Sequence, residues 1–174
     1  LKRSRACYHD LVRKMHDGGL ICFTQRPICR VGAFCVKKKN GRLRLVIDCR
    51  SANRLFKPTP HLPMGTGAAW ADVCLGEGED AWLSLSDLKD YFYGCSIPTG
   101  LSQYFCFDDV DYDFIRTLNG PDMLDGGGDR TGRWCPALKV LPMSWSWSWS
   151  FFFAQVAHAT EVERALQLPI GMHL

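Results

Sequence analysis

Although 47% of the 174 residues are hydrophobic, no run approaches the ~18 consecutive apolar residues that a membrane span requires. The opening L-K-R-S-R-A-C-Y-H-D lacks the apolar core of a secretory signal. The nine cysteines contain no C-x-x-C pair, and none of the five histidines stands at ligand spacing from them. That pattern argues against a zinc site and a disulfide framework, and it places the chain in a reducing intracellular compartment, cytoplasm or nucleus. Most of the cysteines are expected to be small core residues. Acids are scarce at the start: residues 1–60 hold only Asp10, Asp17 and Asp48.

The net charge of +3 therefore hides a polarity. Residues 1–60 carry 15 of the 21 Lys and Arg against three acids, a balance of +12, and residues 61–174 carry the remaining 15 acids against six bases, a balance of −9. A basic half suits a polyphosphate chain and an acidic half suits divalent metal. The alternative is that long basic side chains only solvate a surface. The chain begins with Leu and stops soon after a helical stretch, so it is expected to be one domain or a piece of a larger protein.

Tyr8, Leu11, Val12 and Met15 are spaced as the buried face of a helix over Ala6 to His16, ended by Gly18-Gly19. Short strands are expected at Gly19 to Phe23 and Gly32 to Val36. Asn40-Gly41 then predicts a tight hairpin turn with positive φ at both residues, and Arg42 to Asp48 returns as a strand. Lys37, Lys38 and Lys39 flank one side of the tip, and Arg42 and Arg44 the other. Cations from both arms can close on a triphosphate, Arg44 with a bidentate fork; alternatively the tip is only a solvated turn.

Asp48 to Asn53 reads as a polar turn, and Lys57 to Pro63, with three prolines, as an extended connector. A helical segment is expected near Ala68 to Val73, strands at Gln103 to Phe107 and Ala137 to Leu141, and a closing helix from Phe151 to Gln167. Asn119 to Gly132, rich in Gly and Asp, reads as a mobile insertion.

The stretch Leu83 to Pro98, L-S-L-S-D-L-K-D-Y-F-Y-G-C-S-I-P, carries the sharpest chemistry. It reads as a buried strand that delivers Asp87 to its end, followed by a turn with Asp90 and then Phe92. A carboxylate at the end of a buried strand needs a partner or a cation. Taken alone, D-x-x-D-x-F reads as a strand end followed by a solvated turn, and only the sequence on either side points to more.

Three segments taken together resemble a family. G-A-F-C-V-K-K-K-N-G-R-L-R-L-V-I-D-C-R-S-A-N, then L-S-L-S-D-L-K-D-Y-F-Y-G-C-S-I-P, then L-P-M-S-W with a downstream F-F-x-Q, resemble the fingers and palm of reverse transcriptases of retroviruses and long-terminal-repeat retrotransposons. The resemblance spans roughly residues 11–158. It implies an α+β fold truncated before the last palm hairpin, with residues 1–80 mainly fingers and 81–174 mainly palm. It also implies template-directed addition of dNTPs to a primer 3′-hydroxyl in the intact parent enzyme, on an RNA or DNA template-primer.

By the same resemblance, Asp87 matches the first catalytic aspartate, which with the carbonyl of Leu88 binds metal. The cofactor implied is a pair of Mg²⁺ ions in two-metal phosphoryl transfer. Phe92 matches the ring that packs under the sugar and excludes a 2′-hydroxyl. Lys38 or Lys39, Arg44, Asp90 and Met143 match positions around the nucleotide, and Arg50 and Asn53 match a D-x-R-x-x-N turn on the template side.

Two features depart from the family pattern. The Y-x-D-D motif expected beyond the L-P-x segment does not occur before Leu174, and Phe107-Asp108-Asp109 precedes that segment and reads as a hairpin turn. Ser144 replaces the family's Gly and opens a Ser-Trp repeat to Ser150 whose period of two suits a strand. The competing reading is a catalytically dead retroelement remnant that at most binds nucleic acid through its basic fingers.

Overall fold

The computed structural model describes residues 4–62, 67–82, 87–126 and 128–165. The chain is α+β, with small antiparallel sheets and helices. Helix α1, Arg5–Asp17, starts where the Ser4 hydroxyl accepts from Cys7 N and ends where Gly18 N donates to Lys14 O at 3.1 Å. Gly19 follows at φ +69°, the left-handed turn that glycine adopts freely and that sends the chain back into a strand. Val12 and Met15 are buried, and His9 stacks on Phe114 with ring centres 4.0 Å apart.

The main sheet has the order β1 (Ile21–Thr24), β5 (Arg133–Leu138), β4 (Val110–Asp111), with β5 central and both pairings antiparallel. Alternation along β5 puts Trp134 and Leu138 on the main core with Phe23, Phe105 and Ile115. The opposite face carries Cys135 and Ala137, joined by Cys22 and Cys106. Four of the nine cysteines, Cys22, Cys49, Cys106 and Cys135, are buried, while Cys7, Cys35 and Cys74 are exposed, so the expectation that most are core residues holds only for this group.

The Gly/Asp-rich segment 119–132 is tied down rather than loose. Phe23 N donates to Asp122 O at 2.8 Å and Leu124 N to Phe23 O at 2.9 Å, which caps the free edge of β1, and Leu124 packs on the cysteine face. The buried Asp125 carboxylate accepts from Thr24 Oγ1 and Gln25 N, and Trp134 Nε1 donates to Asp129 O at 3.1 Å.

Residues 103–107 do not form the expected strand. Helix α5, Thr99–Ser102, delays entry into the sheet until Cys106, which bridges Ala137 on one side and Arg30 on the other. From Cys106 opposite Ala137 to Val110 opposite Trp134, one strand advances four residues where its neighbour advances three. The extra residue makes Phe107–Asp109 a β-bulge, not a hairpin turn. Pro136, which has no N–H to give, sits in β5 beside this bulge, and its carbonyl accepts from Phe107 N at 2.8 Å.

The second sheet is the hairpin β2 (Gly32–Lys37) and β3 (Leu43–Asp48), which leaves the main sheet where Val31 N donates to Cys106 O. Its root is buried through Ile47, and its far end is exposed, with Phe34 and Val36 just under half and Leu43 two-thirds in solvent. The turn differs from the two-residue expectation. Lys38 N donates to Arg42 O, Gly41 N donates to Lys38 O, and among the tip residues only Gly41 has positive φ, +79°. This is the three-residue connection in which a turn is followed by a left-handed glycine.

The expected polar turn after Asp48 is a short helix, α2 (Arg50–Asn53), and the connector 57–62 is irregular. Helix α3 is Gly67–Ala71, and the apolar strand expected before Asp87 falls on 83–86, outside the described residues. Helices α4 (Tyr91–Gly94) and α6 (Tyr112–Ile115) are single turns. The Ser-Trp repeat is not a strand. Trp145 N donates to Pro142 O and Ser148 N to Trp145 O, two successive turns that lead into α7, Ser148–Ala165.

Trp134 is 1% exposed and its indole N–H is satisfied. Trp134→Ala should cost about 3–5 kcal/mol by leaving a cavity under β5. Urea unfolding that shows a loss below about 1 kcal/mol would refute this placement of the core.

Candidate nucleic-acid interface

The hairpin tip concentrates positive charge without compensation. Among the described residues, Lys37, Lys38, Lys39, Arg42 and Arg44 have no carboxylate partner. Val36, Lys37, Lys38, Lys39, Asn40 and Arg44 line an open concavity of about 450 Å³. Arg44 lies directly across from Val36 in the hairpin register, so its guanidinium rises from the same face as an apolar residue. Clustered ammonium and guanidinium groups repel one another, and an anion shared among them relieves that repulsion. The arrangement can hold a polyphosphate or a nucleic-acid backbone.

The hairpin root is held by the D-x-R-x-x-N stretch. Arg50 lies against Asp48 with both carboxylate oxygens engaged, Nε to Oδ1 at 2.9 Å and the terminal nitrogen to Oδ2 at 2.6 Å. These bonds, together with one from Arg50 N, hold the Asp48 carboxyl down at about 2. Asn53 uses both ends of its amide: Nδ2 donates to Ser144 O at 3.1 Å, and Oδ1 accepts from Ser146 N at 3.0 Å. Ser144 Oγ donates to Ile47 O, and Trp147 Nε1 donates to Lys57 O at 2.8 Å.

The second stretch meets the same segment. Ile97 N donates to Lys139 O at 2.9 Å and Leu141 N to Cys95 O at 2.8 Å, so residues 95–97 run antiparallel to 139–141. Segments from all three parts of the sequence that carry the resemblance thus converge on residues 139–149. Asn53 as a bracket, and Ser144 and Ser146 as its partners, were not singled out by sequence reasoning. The signal available was the motif itself, which ends on an amide able to donate and accept at once.

The expected site residues on the second stretch are distributed differently. Asp87 and Leu88 are exposed, and among the described residues the Asp87 carboxylate has no hydrogen-bond or ion-pair partner. Asp90 occupies the left-handed region, φ 55° and ψ 23°, as the residue before α4, and its carbonyl accepts from Tyr93 N. Aspartate tolerates this region better than most residues, but the conformation still carries strain. Phe92 is half-buried against Tyr91, Trp149 and Phe152. Met143 is 62% exposed. No hydrogen bond or ion pair links Asp87 or Asp90 to Lys38, Lys39 or Arg44 among the described residues.

Asp108-Asp109 offers no second carboxylate pair for metal. The Asp109 carboxylate is paired with Arg30 and with Arg133 Nε at 3.2 Å, and Asp111 is paired with Arg5 and Arg133. Burial pushes the Asp109 carboxyl up, but hydrogen bonds from Arg30, Cys135 and Arg133 and the charge of Arg30 outweigh it and hold it below its ordinary value. Among the described residues no three His, Cys, Asp or Glu side chains converge. One exposed carboxylate and one main-chain carbonyl do not make the donor set that a pair of Mg²⁺ ions needs.

The Asp48–Arg50 pair sets a pH dependence with a defined sign. Because the folded carboxyl lies below its ordinary 3.8, near 2, its contribution to stability is fully present above about pH 4 and is lost as pH falls toward 2. In Arg50→Gln the Asp48 carboxyl should titrate close to 3.8, read by carbon NMR of the side chain; a midpoint that stays near 2 would show that the backbone bond alone suffices.

In the comparisons with known proteins, no family model matches the chain and no curated protein matches it significantly.

Proposed function

We propose that the chain is the fingers-and-palm part of a reverse transcriptase of the retrovirus or long-terminal-repeat retrotransposon type, and that its own activity is binding nucleic acid and polyphosphate through the β2–β3 hairpin. What supports the reading is an arm with cations and no acid at its tip, rooted by Asn53 on the segment where the three motif-bearing stretches meet. In this reading Arg44 with Lys38 or Lys39 grips phosphate, and Arg50 and Asn53 hold the arm on the template side. Phe92 and Met143 flank the nucleotide, and Asp90 bends the chain between Asp87, the metal ligand of this reading, and Phe92, whose ring packs under the sugar.

The donor set favours the second reading for this chain taken alone, a binder without catalysis. Asp87 and the Leu88 carbonyl cannot by themselves screen both the attacking hydroxyl and the leaving pyrophosphate, so no transfer step is assigned to these residues.

Single-stranded RNA binding measured by fluorescence anisotropy should weaken steeply with salt. Five phosphate contacts give a log–log slope of about −3.5, and neutralising Lys37, Lys38, Lys39 and Arg44 to Gln should reduce it to about −0.7. An unchanged slope in that variant would sink the hairpin as the interface. The chain should also fail to extend a primer on an RNA template in the presence of Mg²⁺; incorporation of dNTP that disappears in Asp87→Ala would overturn the second reading.

A further inference from the structure

Opposite charges stand at two exposed places on the chain and do not meet. Alternation along the hairpin puts Phe34 and Val36 of β2 on one face with Val46 and Arg44 of β3. Phe34 and Val36 are just under half exposed there, and the face runs into the cationic concavity at the tip. The segment after α3 has the opposite charge. No lysine or arginine lies between Lys57 and Lys89, whereas Asp72, Glu77, Glu79 and Asp80 fall within residues 72–80. All of residues 72–82 are exposed, and among the described residues none of these four acids enters an ion pair. The Glu79 carboxylate accepts from Gly76 N at 2.8 Å and Glu79 N donates to Gly76 O at 3.1 Å, so the acids sit on a closed turn. Val73 and Leu75 before it are more than half exposed, and Trp82 after it is 94% exposed. An indole offers a large apolar area and is the ring on which a cation sits best.

We infer that segment 72–82 of a second copy of this chain docks on the hairpin face, with Trp82 entering the concavity against Val36 and Arg44 while the segment's acids meet Lys37, Lys38, Lys39 and Arg42. The occupant is a second copy because the two surfaces complement each other in charge, yet no hydrogen bond or ion pair joins them within one chain among the described residues. A two-fold exchange lets each chain give its segment and receive its partner's, so the contact forms twice and closes. Exposed ion pairs contribute little singly, so the association is weak and salt-dependent. It goes beyond the nucleic-acid reading of the tip and does not depend on it, since it needs only charges and surfaces that the chain itself carries.

Sedimentation velocity without nucleic acid tests this on the whole chain. In about 50 mM salt the mass should approach twice the 19.7 kDa of one chain as concentration rises to about 100 µM, and in about 500 mM salt it should return to one. Trp82→Ala should raise the dissociation constant about tenfold, and the exposure of that side chain means its loss leaves the fold intact. Asp72→Lys, Glu77→Lys and Asp80→Lys together, which spare the turn-closing Glu79, should give a monomer. So should Lys37→Glu, Lys38→Glu and Lys39→Glu together. Mixing these two variants should restore a dimer, because each tip again faces a segment of opposite charge. The inference is overturned if the unaltered chain stays monomeric at low salt, if Trp82→Ala associates as tightly as the unaltered chain, or if the mixed variants stay apart. A dimer that either charge-reversed variant still forms on its own overturns it as well.

Discussion

The Asn53 carboxamide is the constraint on which the candidate site depends. It donates to Ser144 O and accepts from Ser146 N, so one side chain fixes a turn some ninety residues away in sequence. An amide can do this because it carries donor and acceptor on one rigid plane. With Ser144 Oγ bonded to Ile47 O, the root of the hairpin is tied to the turn before α7 by side-chain hydrogen bonds from both directions.

Charge is organised by the same separation of root and tip. At the root Arg50 is spent on Asp48, and in the main sheet Arg30 and Arg133 are spent on Asp109. The tip has no such acids, and its cations stand against solvent. An unpaired cluster of this kind can accommodate an external anion, whereas a guanidinium already forked onto a carboxylate cannot.

Three aspartates show how setting decides chemistry. Asp48 at a strand end and Asp109 in a bulge are both taken by arginine and are lost to metal. Asp87 stands exposed without a partner among the described residues. The bulge arises because the strand opposite Pro136 carries one residue too many, an effect of pairing between segments thirty residues apart. The aromatic enclosure of Phe92 has a similar origin, since it depends on where the Ser-Trp turns let α7 begin.

Local features were legible in the residues alone. Apolar spacing marked α1, and Gly18-Gly19 marked its end. Asn40-Gly41 marked the hairpin, and the run of lysines and arginines marked its charged tip. Each is set by interactions a few residues apart, where backbone preference and side-chain periodicity suffice. The turn type was misjudged because Gly41 alone supplies the positive φ that a three-residue connection needs. The strand over 103–107, the loose insertion at 119–132 and the period-two reading of the Ser-Trp repeat failed for a shared reason. Each was decided by partners far away: Ala137 and Arg30 for Cys106, the open edge of β1 for residues 122–124, and Asn53 with Lys57 for the repeat. Sequence determined which residues could bind an anion; long-range hydrogen bonding decided which remained free to do so, because a buried polar group must find its partner wherever the fold supplies one.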